Sequence, residues 1–191
     1  MAQLFVRLAF AICAVVISVY AFAAQSGGET VVPLELIALI QHEYPKDKII
    51  QASDIDLNNC EEPKSPPGLV EGDFNGDNRT DYAVLLKSEK KPTKYKDQTF
   101  EAVEAKFAIF LGKNGGKFQH IHLTSIMQSP DHIIVWLAPV PPGVVEESPV
   151  MGDKKLTLRH QGILRYHCGK YADVYYWDGK AKRFESIRVV E

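Results

Sequence analysis

Two short runs in this sequence, Phe107-Ala108-Ile109-Phe110-Leu111 and Ile133-Ile134-Val135-Trp136-Leu137, are apolar at every position rather than at every second one. An alternating strand can keep one face in water, but a strand that is apolar throughout has to be covered on both. Each run is too short for a helix and is followed within two residues by Gly112 or Pro139, so the chain must be layered around central strands. The full set of strand patterns falls at 48–52, 68–71, 81–87, 105–112, 117–125, 133–138, 155–159, 163–167, 172–177 and 184–190. The one helical stripe is Leu36, Leu39, Ile40 and Tyr44, within a segment from Pro33 to Tyr44 that has Thr30 near its start and Pro45 as its stop. The expected fold class is α+β: one predominantly antiparallel sheet or β-meander with an N-terminal helix packed on it.

Two stretches, Ala108–Leu123 and Val174–Val190, share a plan of aromatic strand, Gly-rich or Asp-Gly turn, Lys, and a Phe that opens a second strand. Both read as hairpins, because such turns supply the positive-φ positions a tight reversal needs. Two copies are too few for a propeller, which needs four or more blades. The basic stretch Lys87–Gln98 and the proline stretch Ala138–Gly143 read as exposed connections.

The first residues order themselves as one positive charge, Arg7, an uncharged apolar run from Leu8 to Ala24, and small residues. That is the order of a secretory signal peptide, and Ala21-Phe22-Ala23 fits the cleavage rule, so residues 1–23 are expected to be removed and residues 24–191 to form a single β-rich domain. The run sits at the lower limit for a membrane span and no basic cluster follows it, so no stable membrane anchor is expected. The expected location is periplasmic or secreted. With 22 Lys and Arg against 24 Asp and Glu, the chain has no basic excess for phosphate neutralisation, and no nucleic-acid partner is expected. In an exported chain the two remaining cysteines, Cys60 and Cys168, are most simply a disulfide. The alternative, a nucleophile activated by His167, is opposed by strand geometry, which points neighbours to opposite sides.

The stretch GDFNGDNRTDYAVLL, Gly72 to Leu86, places oxygen-bearing side chains at alternate positions and then enters an apolar strand. Side-chain oxygens come from Asp73, Asn75, Asp77 and Asp81, and the backbone carbonyl of Arg79 can complete a set. Calcium takes six to eight oxygens from flexible loops, and three carboxylates against two positive charges suit it better than a soft metal. Gly76 lets the chain bend, and Asn78 is among the few other residues that tolerate a left-handed turn. Val84 stands where an EF-hand would need Glu. The same residues are also turn formers, so a metal-free turn capped by its own side chains is the competing reading.

The stretch resembles the calcium loop of FG-GAP and VCBS-type repeats, in which D-x-[DN]-G-D-G-x-x-D lies between two strands, as in integrin propeller blades. The resemblance covers residues 72–86 in a single copy and departs from the pattern at Asn78. It implies calcium (Ca2+) at Asp73, Asn75, Asp77 and Asp81 and an extracytoplasmic role in binding or structure, without implying an enzyme.

Other constellations are thinner. His120 and His122 share one strand face, with His132 as a possible third zinc ligand, and Asp173, Tyr175 and Trp177 share another face. Surface histidines and core packing are the commoner meanings of such patterns. Ser88-Glu89-Lys90-Lys91 matches S-x-x-K in letters alone. The expected function is a monomeric calcium-binding interaction module that meets an extracytoplasmic protein or glycan. The alternative is an extracytoplasmic hydrolase using Glu61, Glu62, Glu146 and Glu147, which needs two acids facing each other across a cleft.

Overall fold

The continuous apolar strands are covered on both faces, by different elements. In the computed structural model, which describes residues 32–189 apart from 59, 64, 130–132 and 153, helix α1 spans Leu34–Glu43 and is followed by β1 (Lys48–Ile49), β2 (Leu69–Gly72), β3 (Asp81–Lys87), β4 (Lys91–Tyr95), β5 (Gln98–Gly112) and β6 (Phe118–Gln128). The chain continues as β7 (Val135–Val140), β8 (Gly143–Glu146), β9 (Lys155–Leu158), β10 (Gly162–His167), β11 (Tyr171–Asp178) and β12 (Arg183–Val189). These residues belong to one unit that begins at Val32. The signal-peptide reading of residues 1–23 lies outside the described residues, as do Thr30 and His132.

Strands β1 to β6 form an antiparallel sheet in which β3 and β5 are central, with Tyr82 opposite Phe110 and Leu85 opposite Phe107. Strands β12, β11, β10 and β7 form a second antiparallel sheet, and β8 and β9 pair as a separate hairpin. The expectation of one sheet is therefore corrected to two sheets and a hairpin. The reason lies in the period-2 geometry of a strand. On β3 and β5, Tyr82, Val84, Leu86, Ala108 and Phe110 pack with Leu36, Ile40 and Tyr44 of the helix segment. The alternate residues Ala83, Leu85, Phe107, Ile109 and Leu111 join Val135, Leu137 and Ile163 of the second sheet in the main core. One helix has a single apolar stripe and can cover one face only, so the other face needs a sheet of its own.

Leu36 and Ile40 are buried and Leu39 half-buried, as the stripe predicts, and Pro45 follows the last helical turn. Burying these side chains stabilises the docked helix by about 1.5–3 kcal/mol each. On the outer face of the second sheet, Val174 and Ile187 pack with Leu158 and with Val145 and Leu156 of the β8–β9 hairpin. The layers thus run helix, sheet, sheet, hairpin.

Both expected hairpins form, as β5–β6 and β11–β12, with Gly115, Gly116 and Lys182 at positive φ in their turns. The basic stretch Lys87–Gln98 is not a loop: β4 folds back on the first half of β5, with Lys91 opposite Ala102 and Tyr95 opposite Gln98. Much of this arm is exposed, so it lacks the apolar alternation that marks a half-buried strand. The proline stretch likewise lies within β7 as far as Val140, turns, and enters β8 at Gly143.

Cys60 and Cys168 pair as a disulfide with their Cα atoms 4.9 Å apart and a sequence separation of 108. The bond fastens the segment before β2 to the end of β10, where Cys168 packs with Tyr166 and Ala172. Closing a loop of that length stabilises the fold by ~4–5 kcal/mol on the chain-entropy model. Cys60→Ala/Cys168→Ala should therefore lower the urea-unfolding free energy by several kcal/mol, and Ellman titration of the unfolded, unreduced wild type should find no free thiol in residues 24–191. A loss below ~1 kcal/mol would show that the bridge constrains little.

Candidate functional site

The carboxylate-rich loop joins β2 to β3, and its side chains turn back onto its own amides. Asp73 Oδ1 accepts the backbone N–H groups of Gly76 at 2.8 Å and Asp77 at 3.1 Å, and its Oδ2 accepts that of Asn78 at 2.9 Å. Asn75 Oδ1 accepts the Asp77 N–H at 3.0 Å, and Asp77 Oδ1 accepts the Arg79 N–H at 3.0 Å. The chain can curl this tightly because Gly76 and Asn78 take φ of 76° and 61°, the left-handed region that glycine and asparagine tolerate best. Gly76 is required twice over, since a Cβ there would stand 2.1 Å from the His160 ring in the β9–β10 turn.

Asp81 is the anchor. It is fully buried, and its Oδ2 accepts the Phe74 N–H at 2.9 Å while its Oδ1 accepts the Gly112 N–H at 2.8 Å. One carboxylate thereby closes the loop on itself and fastens it to the end of β5. Phe74, also fully buried, plugs the loop into the main core. Burial pushes the Asp81 carboxyl up to about 6; the two amide hydrogen bonds work against this, and the charges of Asp77 and Asp73 add to it. Asp77, only partly exposed, goes the other way: burial works upward, but hydrogen bonds from Arg79 and Asn75 bring it below the usual carboxylate range. Arg79 donates Nη1–H to Asp77 Oδ2 at 2.9 Å and Nη2–H to Asn114 Oδ1 at 2.8 Å, which ties the loop to the β5–β6 turn.

The loop's chemistry suits a hard cation, because three carboxylates face one guanidinium and each carboxylate has about four acceptor sites. Its arrangement is less gathered. Among the described residues no group of three or more His, Cys, Asp or Glu is placed to hold a metal ion. Asp73, Asn75, Asp77 and Asp81 instead cap backbone amides, and Arg79 contributes its side chain to Asp77. A cation would act on this loop by drawing carboxylate oxygens away from those amides.

The remaining candidates are separated by the fold. Glu61 and Glu62 are exposed beside Cys60, whereas Glu146 pairs with Lys155 at 2.5 Å on the β8–β9 hairpin, with Glu147 next to it. The aromatic strip on β11 is largely core: Tyr175 meets Phe107 edge-on at 4.9 Å, and Trp177 meets Phe184 at 5.2 Å. His167 stacks on Tyr171 at 4.7 Å while Cys168 is held in the disulfide, so the two are not a nucleophile and its base. No family model matches the chain, and no curated protein or solved structure matches it either.

Sequence reasoning missed a buried ionic cluster on β10 to β12. Asp173 accepts from Arg165 Nη2 at 2.6 Å and from Arg188 Nε at 2.9 Å. Arg165 Nε and Nη1 and His167 Nε2 are buried with no hydrogen-bond partner. The Arg165 guanidinium lies 5.2 Å from the Tyr175 ring centroid, and Arg188 lies 3.7 Å from that of Tyr171. In Gly162-Ile163-Leu164-Arg165-Tyr166-His167 an arginine between apolar residues reads as a solvent-facing position, and only the cross-strand register with Asp173 reveals the pair.

Two expectations follow. Asp81→Asn replaces one acceptor with a donor against a buried amide and should destabilise by about 2–3 kcal/mol, whereas Asp77→Asn on the surface should stay within ~1 kcal/mol; urea unfolding compares them. Burial first, and the Arg165 charge second, push His167 down to about 4, below its unfolded value of about 6.5. The unfolded chain therefore binds the extra proton between those values, so stability is full above about pH 6.5 and falls as pH drops toward 4. Wild type should lose about 2–3 kcal/mol more than His167→Gln between pH 7 and pH 4.5, and equal losses would show that His167 is not the group responsible.

Proposed function

We propose that this chain is a periplasmic or secreted β-rich interaction module of the FG-GAP/VCBS-like kind, in which calcium stiffens the loop at residues 72–86 and the fold presents its loops to an extracytoplasmic protein or glycan. The observation that carries the reading is the loop itself: three carboxylates on a segment held in left-handed turns at Gly76 and Asn78, with Asp81 raised first by burial and then by the like charges of Asp77 and Asp73. That repulsion is a charge surplus that a divalent cation relieves. Asp73, Asn75, Asp77 and Asp81 would supply side-chain oxygens and Arg79 its backbone carbonyl. The ion's contribution would be structural, since the surrounding residues offer no assembled nucleophile and base. The Cys60–Cys168 bridge is in keeping with an oxidising compartment. Among the described residues, no helix is long and apolar enough to cross a membrane.

Thermal melting tests the metal reading. An ion that binds only the folded chain stabilises it by about 2.7 kcal/mol at a hundredfold excess over Kd, which raises the melting temperature of a domain this size by roughly 5–11 °C. Wild type should show this rise in millimolar calcium, much less in equal magnesium, and none in chelator. Asp77→Ala should abolish most of it, and Asp97→Ala in the β4–β5 turn should leave it intact. Identical melting in all three solutions, with no heat of calcium binding, would leave the loop as a metal-free turn. Affinity capture from native envelope or culture fluid, with and without chelator, then tests whether calcium controls partner binding.

A further inference from the structure

The end of α1 meets β6 through a chain of four polar contacts. Glu43 Oε2 lies 3.4 Å from His120 Nδ1, and His120 Nε2 lies 2.8 Å from the Tyr44 hydroxyl. That hydroxyl is 3.2 Å from His122 Nδ1, and His122 Nε2 is 3.3 Å from Ser125 Oγ. Counting protons fixes the direction of every link. A carboxylate can only accept, so His120 carries its proton on Nδ1 and offers Nε2 as an acceptor. Tyr44 then donates to His120, accepts from His122 Nδ1–H, and leaves His122 Nε2 to accept from Ser125. Four links use four protons, with both imidazoles neutral.

The chain has room for one more proton. Ser125 also meets the Glu104 carboxylate, so if His122 Nε2 gains a proton, Ser125 accepts from it and donates to Glu104. Reversing the Tyr44 hydroxyl moves the same charge to His120 with every link still made. A second proton has no link to fill. It would put imidazolium N–H groups on both sides of the Tyr44 oxygen, leave the Tyr44 proton without an acceptor, and set two cations across one atom. The phenol cannot yield its proton to relieve this, because burial first, then Glu43 and Asp47, push Tyr44 up to about 12. Burial and the charge of His122 likewise hold His120 below the ordinary histidine value, against the pull of Glu43.

We propose that Tyr44 makes His120 and His122 a one-proton pair, and that the second proton, taken up in acid, loosens α1 from the sheet. Of the other charged groups near the pair, Asp47 holds Lys106 at 2.6 Å, with that ammonium 5.6 Å from the Tyr44 ring centroid, Glu104 meets Lys91 at 3.4 Å, and the His42 imidazole lies 3.1 Å from Glu43 Oε1. Beneath the helix lie Tyr82, Val84, Leu86, Ala108 and Phe110, so loosening α1 uncovers an apolar sheet face. The sign is fixed by linkage. With α1 released, two ordinary histidines bind two protons; docked, the pair binds one. Docking is full above about pH 6.5 and weakens roughly tenfold for each unit below it, about thirtyfold by pH 5.

Two measurements test this, and neither needs calcium. NMR titration of the histidine Cε1 resonances should show His120 and His122 together gaining one proton down to about pH 5 in wild type and two in Tyr44→Phe. Hydrogen-exchange protection of the α1 amides, taken relative to β11 amides to remove global unfolding by His167, should fall about thirtyfold between about pH 7 and pH 5 in wild type. In His120→Gln it should stay flat. Two protons taken up at ordinary affinity in wild type, an unchanged count in Tyr44→Phe, or an equal fall in His120→Gln would each overturn the proposal.

Discussion

The fold depends on the fact that β3 and the second half of β5 have no face that can be left in water. Their even-numbered residues and their odd-numbered residues sit in two different apolar clusters, one closed by α1 and the other by the second sheet. The rest follows from that double burial. The second sheet must also hide its far side, which the β8–β9 hairpin and the segment around Cys60 do. Each added layer is narrower than the one it covers, and the stacking ends in a two-stranded hairpin with Val144 and Glu146 open to solvent.

Against this apolar frame the charged groups that are buried stand out. Asp81 is tolerated at the edge of the core because two backbone donors meet its two oxygens, and Asp173 because two guanidiniums do. The two solutions have opposite electrostatic consequences. Around Asp81 negative charge is in excess; around Asp173 positive charge is, and together with burial, the larger cause, it keeps His167 neutral. The packing around His167 is therefore fullest above about pH 6.5 and weakens in acid.

Much of this was legible in residue order. The helix stripe, both aromatic hairpins, the cysteine pair and the left-handed positions at Gly76 and Asn78 each rest on local rules, and local rules travel well from sequence to structure. What was hidden depends on partners distant in sequence. β4 carries Lys91, Pro92, Thr93 and Lys94 in an exposed arm, so no apolar period marks it. A second sheet cannot be told from an extension of the first until it is known which strands pair. Arg165 and Tyr44 take their meaning from Asp173 on a neighbouring strand and from His120, 76 residues away. The carboxylate-rich loop at residues 72–86 lies between these cases: its backbone conformation was readable, whereas spacing alone left open whether its side chains turn to a cation or to the loop's own amides.

The disulfide has one more consequence, in topology rather than free energy. Cys60 and Cys168 close a covalent ring that contains all of β2 to β10, including the exposed arm with Lys91, Lys94 and Lys96. A trypsin-like protease that cuts after Lys94 or Lys96, neither of which precedes a proline as Lys91 does, opens the ring without dividing the molecule. The two pieces stay joined through sulfur, and the sheets that hold the arm's base stay paired. In surroundings rich in trypsin-like enzymes, a single cut in this exposed arm therefore releases nothing.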